Sequence, residues 1–310
     1  LLVGPLVTLG GLEAPEQSAG DLVLVTAEES RELVFLDGMA RQVLARVPTS
    51  TAPHNVALAP DAQLALVTSL AGDEILVVDV PGRRIERRVG FGRKPHGAAF
   101  RPDGTAYITY EGVSMVRRFD PRRSDLLAEI PLDRPPHNIA MSGDGRWALL
   151  TSLGSARLWL MNVPYNQILE SLATLGSPHD VAFEPRGQVA WITNWESSLV
   201  FRLELGSRRV LAVPTSGKSP HHLAVTPDGK EVWVTNHRSD DVTVIATAKR
   251  EEVGRIPAGR GPHHISFSRD GRRAYVANNG SGDVSVIDVA TRRVVGQIPA
   301  GRGLHGVAVW

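Results

Sequence analysis

His263-His264-Ile265-Ser266-Phe267, Ala274-Tyr275-Val276-Ala277-Asn278, Asp283-Val284-Ser285-Val286-Ile287-Asp288 and Val294-Val295-Gly296-Gln297-Ile298 follow one another as four short runs rich in Val, Ile and Tyr. Arg269-Asp270-Gly271 separates the first two, and Gly, Asn and Asp punctuate the rest. Short β-prone runs bounded by turn residues predict four strands joined by tight turns. Asp-Gly recurs at Asp103-Gly104, Asp144-Gly145 and Asp228-Gly229, where the first hairpin of other units needs it. No stretch sustains a 3.6-residue period, so almost no helix is expected.

The unit begins with Pro262-His263, and that step repeats along the chain. It stands at Pro53-His54, Pro95-His96, Pro136-His137, Pro178-His179 and Pro220-His221, and as the variant Leu304-His305 after the last unit. The histidines are spaced by 42, 41, 42, 42, 42 and 42 residues. Four strands per unit of that length is the size of a β-propeller blade. The chain has three strands before the first Pro-His, at Leu22–Thr26, Leu33–Asp37 and Val43–Val47, and one strand after the last, His305–Val309. Joined, they make one blade. The expectation is an all-β, seven-bladed propeller of four antiparallel strands per blade over 21–310, closed by the C-terminal strand in the N-terminal blade. Residues 1–20 read as a tail, and Leu1–Gly10 is apolar enough to be read also as the remnant of an export segment.

Three residues after each histidine stand Ala57, Ala99, Ala140, Ala182, Ala224, Ser266 and Ala308. Inner strands crowd together near the axis, which calls for small side chains on one face. The runs Ala274–Asn278, Val232–Asn236 and Val284–Asp288 resemble the YVTN-type β-propeller repeat over roughly Asp21 to Trp310. That resemblance implies the propeller fold and an exported protein, periplasmic or extracellular. Repeats of that type carry a Gly-like residue where this chain has histidine, so the histidines are the departure to be explained.

Charge and composition narrow the function. The 34 basic and 33 acidic side chains of the 310 residues leave no global field, which argues against nucleic acid as a partner. No apolar run is long enough to span a bilayer. With no cysteine, thiolate metal sites, disulfides and a cysteine nucleophile are excluded.

Each histidine enters the innermost strand from one face of the propeller, and the loops after the second strands open on the same face. These loops bring Glu28, Ser69, Tyr110, Ser152, Asn194, Trp195, Asn236, His237, Asn278 and Asn279 to that rim, and the incoming loops add Lys94, Arg134, Lys218, Arg260 and Arg302. Neutral imidazole is the commonest protein ligand of transition metals, so His54, His96, His137, His179, His221, His222, His237, His263, His264 and His305 are the candidate ligands, with copper, zinc or iron as the candidate ion. Sheets about 10 Å apart put seven inner strands on a ring of radius about 11 Å. A histidine reaches in by roughly 5 Å, too little for seven to share one ion at about 2.0–2.1 Å. The ring is similar in outline to the copper-holding propeller of nitrous-oxide reductases, without carrying any residue over. The doubled His221-His222 and His263-His264, with His237 between them, mark the sector where an off-axis ion is expected. Asp180 is a candidate ligand, or an acceptor that orients an imidazole.

The expected function is a propeller that binds a transition metal or metal-containing cofactor at the channel mouth. Two alternatives stand beside it. One is a scaffold for a protein or ligand partner, with Pro-His as loop chemistry. The other is a metal-assisted lyase, lactonase or oxidase acting on an anionic small molecule. The sequence shows no paired-carboxylate site, nucleophile or nucleotide loop.

Overall fold

The computed structural model describes residues 20–310; the tail at 1–20 lies almost wholly outside them. The described residues form 28 strands in seven four-stranded antiparallel sheets, with no helix among them. The innermost strands are Val56–Leu58, Pro95–Phe100, Ile139–Met141, Pro178–Phe183, Pro220–Val225, Pro262–Phe267 and Leu304–Val309. Leu304–Val309 pairs with Leu22–Ala27, which continues into Glu32–Asp37 and Gln42–Pro48, so the two ends of the chain build one blade. Leu22 and Trp310 exchange N–H···O bonds of 3.0 and 2.9 Å at that seam.

The strand pattern explains the packing. Middle strands such as Leu64–Ser69 and Glu74–Asp79 are apolar on both faces because each sheet is covered by a blade on either side. The core accordingly divides into seven apolar clusters, one per interface between neighbouring blades. Trp191, Trp233, Tyr107 and Tyr275 fill these layers, as their sequence positions imply, while Trp147 is only half-buried. The outermost strands are edges. They carry charge (Arg84-Ile85-Glu86-Arg87-Arg88), often end in proline, and in six blades a bulge breaks their pairing, all devices that discourage edge-to-edge association. The Asp-Gly turns put Gly104, Gly145, Gly229 and Gly271 at φ between 67° and 81°, where a side chain would be strained.

One hydrogen-bonded latch repeats between blades. Near the end of the second strand a threonine hydroxyl accepts the N–H of the residue after its own blade's histidine. It then donates to the carbonyl of the next blade's histidine. Thr26, Thr68, Thr109, Thr151, Thr193 and Thr235 reach His54, His96, His137, His179, His221 and His263 in this way. The hydroxyl of Thr151, for example, lies 2.8 Å from the His179 carbonyl and 3.0 Å from the Asn138 amide. The seventh position is Ala277. The threonines thus fix the backbone of the histidines, and through it where each imidazole starts.

Replacing Thr151 with valine keeps the shape, leaves the buried Asn138 amide without its partner and leaves the buried His179 carbonyl only the Asn138 Nδ2 contact at 3.5 Å. Thr151→Val is expected to lower the unfolding free energy by about 1–3 kcal/mol, read from the denaturant midpoint at unchanged slope. An unchanged midpoint would show that the latch contributes nothing.

Candidate functional site

The Pro-His steps lie where the inner strands begin, and a bulge there interrupts pairing with the second strand, as between Pro178 and Val181 or Pro220 and Leu223. The irregular backbone lets two consecutive side chains reach toward the axis. His179 then meets His221 of the next blade, and Asp180 meets His222. Two polar tiers result.

The upper tier is a closed ring of seven imidazoles. Going round from His54 through His96, His137, His179, His221, His263 and His305, neighbouring ring centroids are 4.5, 3.8, 4.5, 4.3, 4.1 and 4.8 Å apart, and His305 returns to His54 at 3.7 Å. This is tighter than the spacing expected from sheet separation alone. Small residues and bulged starts let the inner strands approach, and glycine stands after His96 and His305: a Cβ on Gly97 would lie 3.0 Å from Asn138, and one on Gly306 2.9 Å from the Val56 amide.

The lower tier holds Asn55, Asn138, Asp180, His222 and His264. Asp180 accepts the Leu223 N–H at 3.2 Å and lies 3.3 Å from His222 Nε2, while the Ile265 N–H approaches His222 Nδ1 at 3.4 Å. Of its two expected roles Asp180 has the geometry of the second, an acceptor that orients an imidazole. His222 stacks on His264 at 4.0 Å. The sector with the highest density of histidines in sequence is therefore split. His221 and His263 belong to the ring, His222 and His264 lie beneath it, and His237 stands at the rim 4.7 Å from His263. Ligand atoms of three candidate residues come within 4.8 Å of one another in the sets His221, His263, His305; Glu28, His54, His305; and His96, Glu111, His137.

A cavity of about 370 Å³ opens at the mouth, lined by six of the ring histidines with Leu70, Glu111, Leu153 and Trp195. A neighbouring hollow of about 490 Å³ is bounded by Arg93, Lys94, Glu111, Pro135, His137 and Leu153. A cavity of about 750 Å³ lies on the opposite face between turns around Asp228 and Asp270 and holds none of the three ligand sets. The rim differs from the expected one. Ser69, Ser152, Asn194, Asn236 and Asn278 are buried and tie loops together, as in Ser69 to the Ala52 carbonyl or Asn236 to Asp241. The mouth is lined instead by the next residue of each loop: Glu28, Leu70, Glu111, Leu153, Trp195, His237 and Asn279. Of these Leu70, Glu111 and Leu153 are not among the residues expected at the rim, although aligning the repeats on the histidines places all seven in one column. Lys94, Arg134, Lys218, Arg260 and Arg302 are exposed on the surrounding loops, as expected.

Burial sets the protonation of the ring. It depresses His179 to about 4 and His263 to about 3, and holds His96, His137, His221 and His305 well below the ordinary imidazole value, with repulsion from neighbouring imidazoles adding to it. In the lower tier burial takes His222 to about 3, pushes His264 far down and raises Asp180 to about 7. These eight histidines are thus held as neutral imidazoles, the form that ligates metals.

Residues 210–295 match the family model described as Lactonase, 7-bladed beta-propeller, a little over two blades of this chain. Comparison with curated proteins finds no match. Among solved structures the fold is similar to hydrazine synthase of Kuenenia stuttgartiensis, with a TM-score of 0.80 and 19% identity over 92% of this chain and 99% of that one. It is also similar to a functionally unknown protein from Desulfotomaculum acetoxidans DSM 771, with a TM-score of 0.80 and 14% identity over 93% and 98% of the two chains. A third neighbour is the dihydro-heme d1 dehydrogenase NirN in complex with DHE, with a TM-score of 0.73 and 17% identity over 98% and 78%. At these identities the likeness is one of fold.

The depressed histidines predict how stability responds to acid. Their unfolded forms take up protons near pH 6.5 while the folded forms refuse them until about pH 4 or below, so the unfolded state binds more protons in between. Stability should fall as pH drops from about 6.5 toward 4. Asp180 acts with the opposite sign, since its folded carboxyl takes its proton first, but one group opposes several. The slope for metal-free protein should exceed the roughly 1.4 kcal/mol per pH unit of a single net proton. Denaturation midpoints at pH 7 and 5 that coincide would contradict the buried, neutral ring.

Proposed function

We propose that the protein binds a transition metal, or a cofactor containing one, at the channel mouth. The observation that carries this reading is the closed ring of seven imidazoles with centroids 3.7–4.8 Å apart, most of them buried. Ring nitrogens of His137, His221, His263 and His305 are buried without a hydrogen-bond partner among the described residues. A buried polar atom left unpaired costs about 1–3 kcal/mol, and a bound cation would satisfy several at once. Imidazoles with two carboxylates and no thiolate suit zinc, copper or iron. One structural neighbour, the dihydro-heme d1 dehydrogenase in complex with DHE, supports this fold as a carrier of such cofactors. Residence outside the cytoplasm, periplasmic or extracellular, accords with the absence of cysteine and with the YVTN-like repeats.

A second reading draws on the lactonase-type match and on the hollow beside His137. Lys94 and Arg93 there would attract an anionic lactone, and a metal held at the ring would polarise its carbonyl. On this reading turnover of anionic lactones requires metal and is lost in His137→Gln.

Protein purified without a histidine tag, stripped and then dialysed against Zn²⁺, Cu²⁺ or Fe²⁺ is expected to retain at least one ion per chain and to melt at higher temperature. Failure to retain or respond to any of the three would overturn the metal reading and leave the interaction scaffold, with or without a protein partner, as the use of this face.

A further inference from the structure

The seven ring histidines differ in what holds Nδ1. That of His54 meets the Glu28 carboxylate. Those of His96, His137 and His179 meet Asn138 Oδ1 at 3.1 Å, Glu111 Oε1 at 2.6 Å and the His221 carbonyl at 2.9 Å. The Asn138 amide is oriented by its other end, where Nδ2 faces the His179 carbonyl at 3.5 Å and the side chain hydrogen-bonds Asp180. All four nearest partners are acceptors without a proton of their own; the Asn55 Nδ2 amide lies farther from His96 Nδ1, at 3.5 Å. In the neutral form of these imidazoles the network therefore places the proton on Nδ1 and leaves Nε2 as a bare lone pair. The Nδ1 atoms of His221, His263 and His305 are buried with no such partner among the described residues.

The consequence is sharpest between His54 and His96, whose Nε2 atoms lie 2.9 Å apart. With both imidazoles in that form, two lone pairs confront each other at hydrogen-bond distance. A cation held between them, a metal ion or a shared proton, removes that conflict. Two nitrogens 2.9 Å apart also suit one ion at about 2.0–2.1 Å from each, with a bond angle near a right angle. His137 is next in the ring, its centroid 3.8 Å from that of His96, and its buried Nε2 has no partner among the described residues.

Resting on the metal-binding reading above, we infer that the metal seat lies on the arc of His54, His96 and His137, anchored by the Nε2 atoms of His54 and His96 that stand 2.9 Å apart, with His179 beside it in the same tautomer. Glu28 and Glu111 are positioning residues: each fixes a ligand's tautomer and raises its basicity from behind. This moves the seat to the opposite side of the ring from the sector with the most histidines. It also explains why the loop position that is Leu70 or Leu153 in two blades is a glutamate only at Glu28 and Glu111, each 26 residues ahead of the histidine it holds.

The test uses tag-free, metal-free protein and Zn²⁺. Glu111→Leu and Glu28→Leu copy the residue the chain itself uses at Leu70 and Leu153, which favours folding. Glu111→Leu is expected to weaken Zn²⁺ binding about 10–100-fold, and Glu111→Gln, which still accepts from Nδ1, to recover most of that loss. His96→Gln and His137→Gln should weaken binding at least as much, and His221→Gln and His263→Gln should leave it near wild type. Nitrogen-15 histidine NMR of the metal-free wild type should show Nδ1–H tautomers at His54, His96, His137 and His179, with Zn²⁺ shifting Nε2. Zn²⁺ loss confined to His221→Gln and His263→Gln, or Nε2–H tautomers at His96 and His137, overturns the assignment while the metal reading stands. A wild type that binds no Zn²⁺, Cu²⁺ or Fe²⁺ overturns both.

Discussion

Ring closure is the constraint on which the rest of the structure depends. The strand Leu304–Val309 completes the blade begun by Leu22–Ala27, and so turns an open array of sheets into a circle. An open array would end in two uncovered faces, since each blade buries its apolar sides only against its neighbours. Closure adds the seventh apolar cluster, around Val25, Tyr275, Val286 and Val307. It also places His305 between His263 and His54, at 4.8 and 3.7 Å. The chemistry at the mouth is a product of this closure: with six blades joined and the seventh undone, the imidazoles would not form a ring.

Closure crowds the histidines, and crowding decides their charge. Several imidazolium ions within about 5 Å of one another in a buried site would repel strongly, so the fold keeps these groups neutral. Neutral imidazole needs one acceptor for its N–H and one donor for its lone pair. The lower tier and the rim supply acceptors, through Asn138, Glu28, Glu111 and a backbone carbonyl, but almost no donors. A ring of lone pairs short of donors is electrically suited to a cation. That imbalance, more than the number of histidines, connects the architecture to metal binding.

Much of this is legible in the sequence. The near-constant 42-residue spacing carries the blade count, the start of each inner strand and the closure by His305, because duplication preserves spacing even where residues diverge. The threonine latch is present in the sequence too, but threonine in a strand is indistinguishable from β-propensity until the next blade's carbonyl is in place. Sheet separation alone overestimates the spacing of the imidazoles because it says nothing of bulges, which let both His221 and His222 turn inward. Those bulges also send His222 and His264 to a lower tier, so a dense run of histidines in sequence becomes two sites in space. Glu111 is silent in the sequence because a glutamate followed by glycine reads as a solvated loop, and only the fold shows it behind His137.

A repeat supplies seven equivalent positions, so any preferred site must come from places where the copies differ. Two such departures act on the ring. Glu28 and Glu111 replace the leucine of intervening blades and settle the tautomers of His54 and His137. Ala277 replaces the latch threonine, so the histidine backbone of the next blade, that of His305, lacks the hydroxyl that anchors the other six. The widest gap between neighbouring imidazoles, 4.8 Å between His263 and His305, falls at that unlatched interface. The arc from His54 to His179 is latched at every step and has every Nδ1 held, whereas the arc through His221, His263 and His305 has neither property throughout. A metal ligand set gains affinity from being held in place before the ion arrives, and only the first arc is held on both counts.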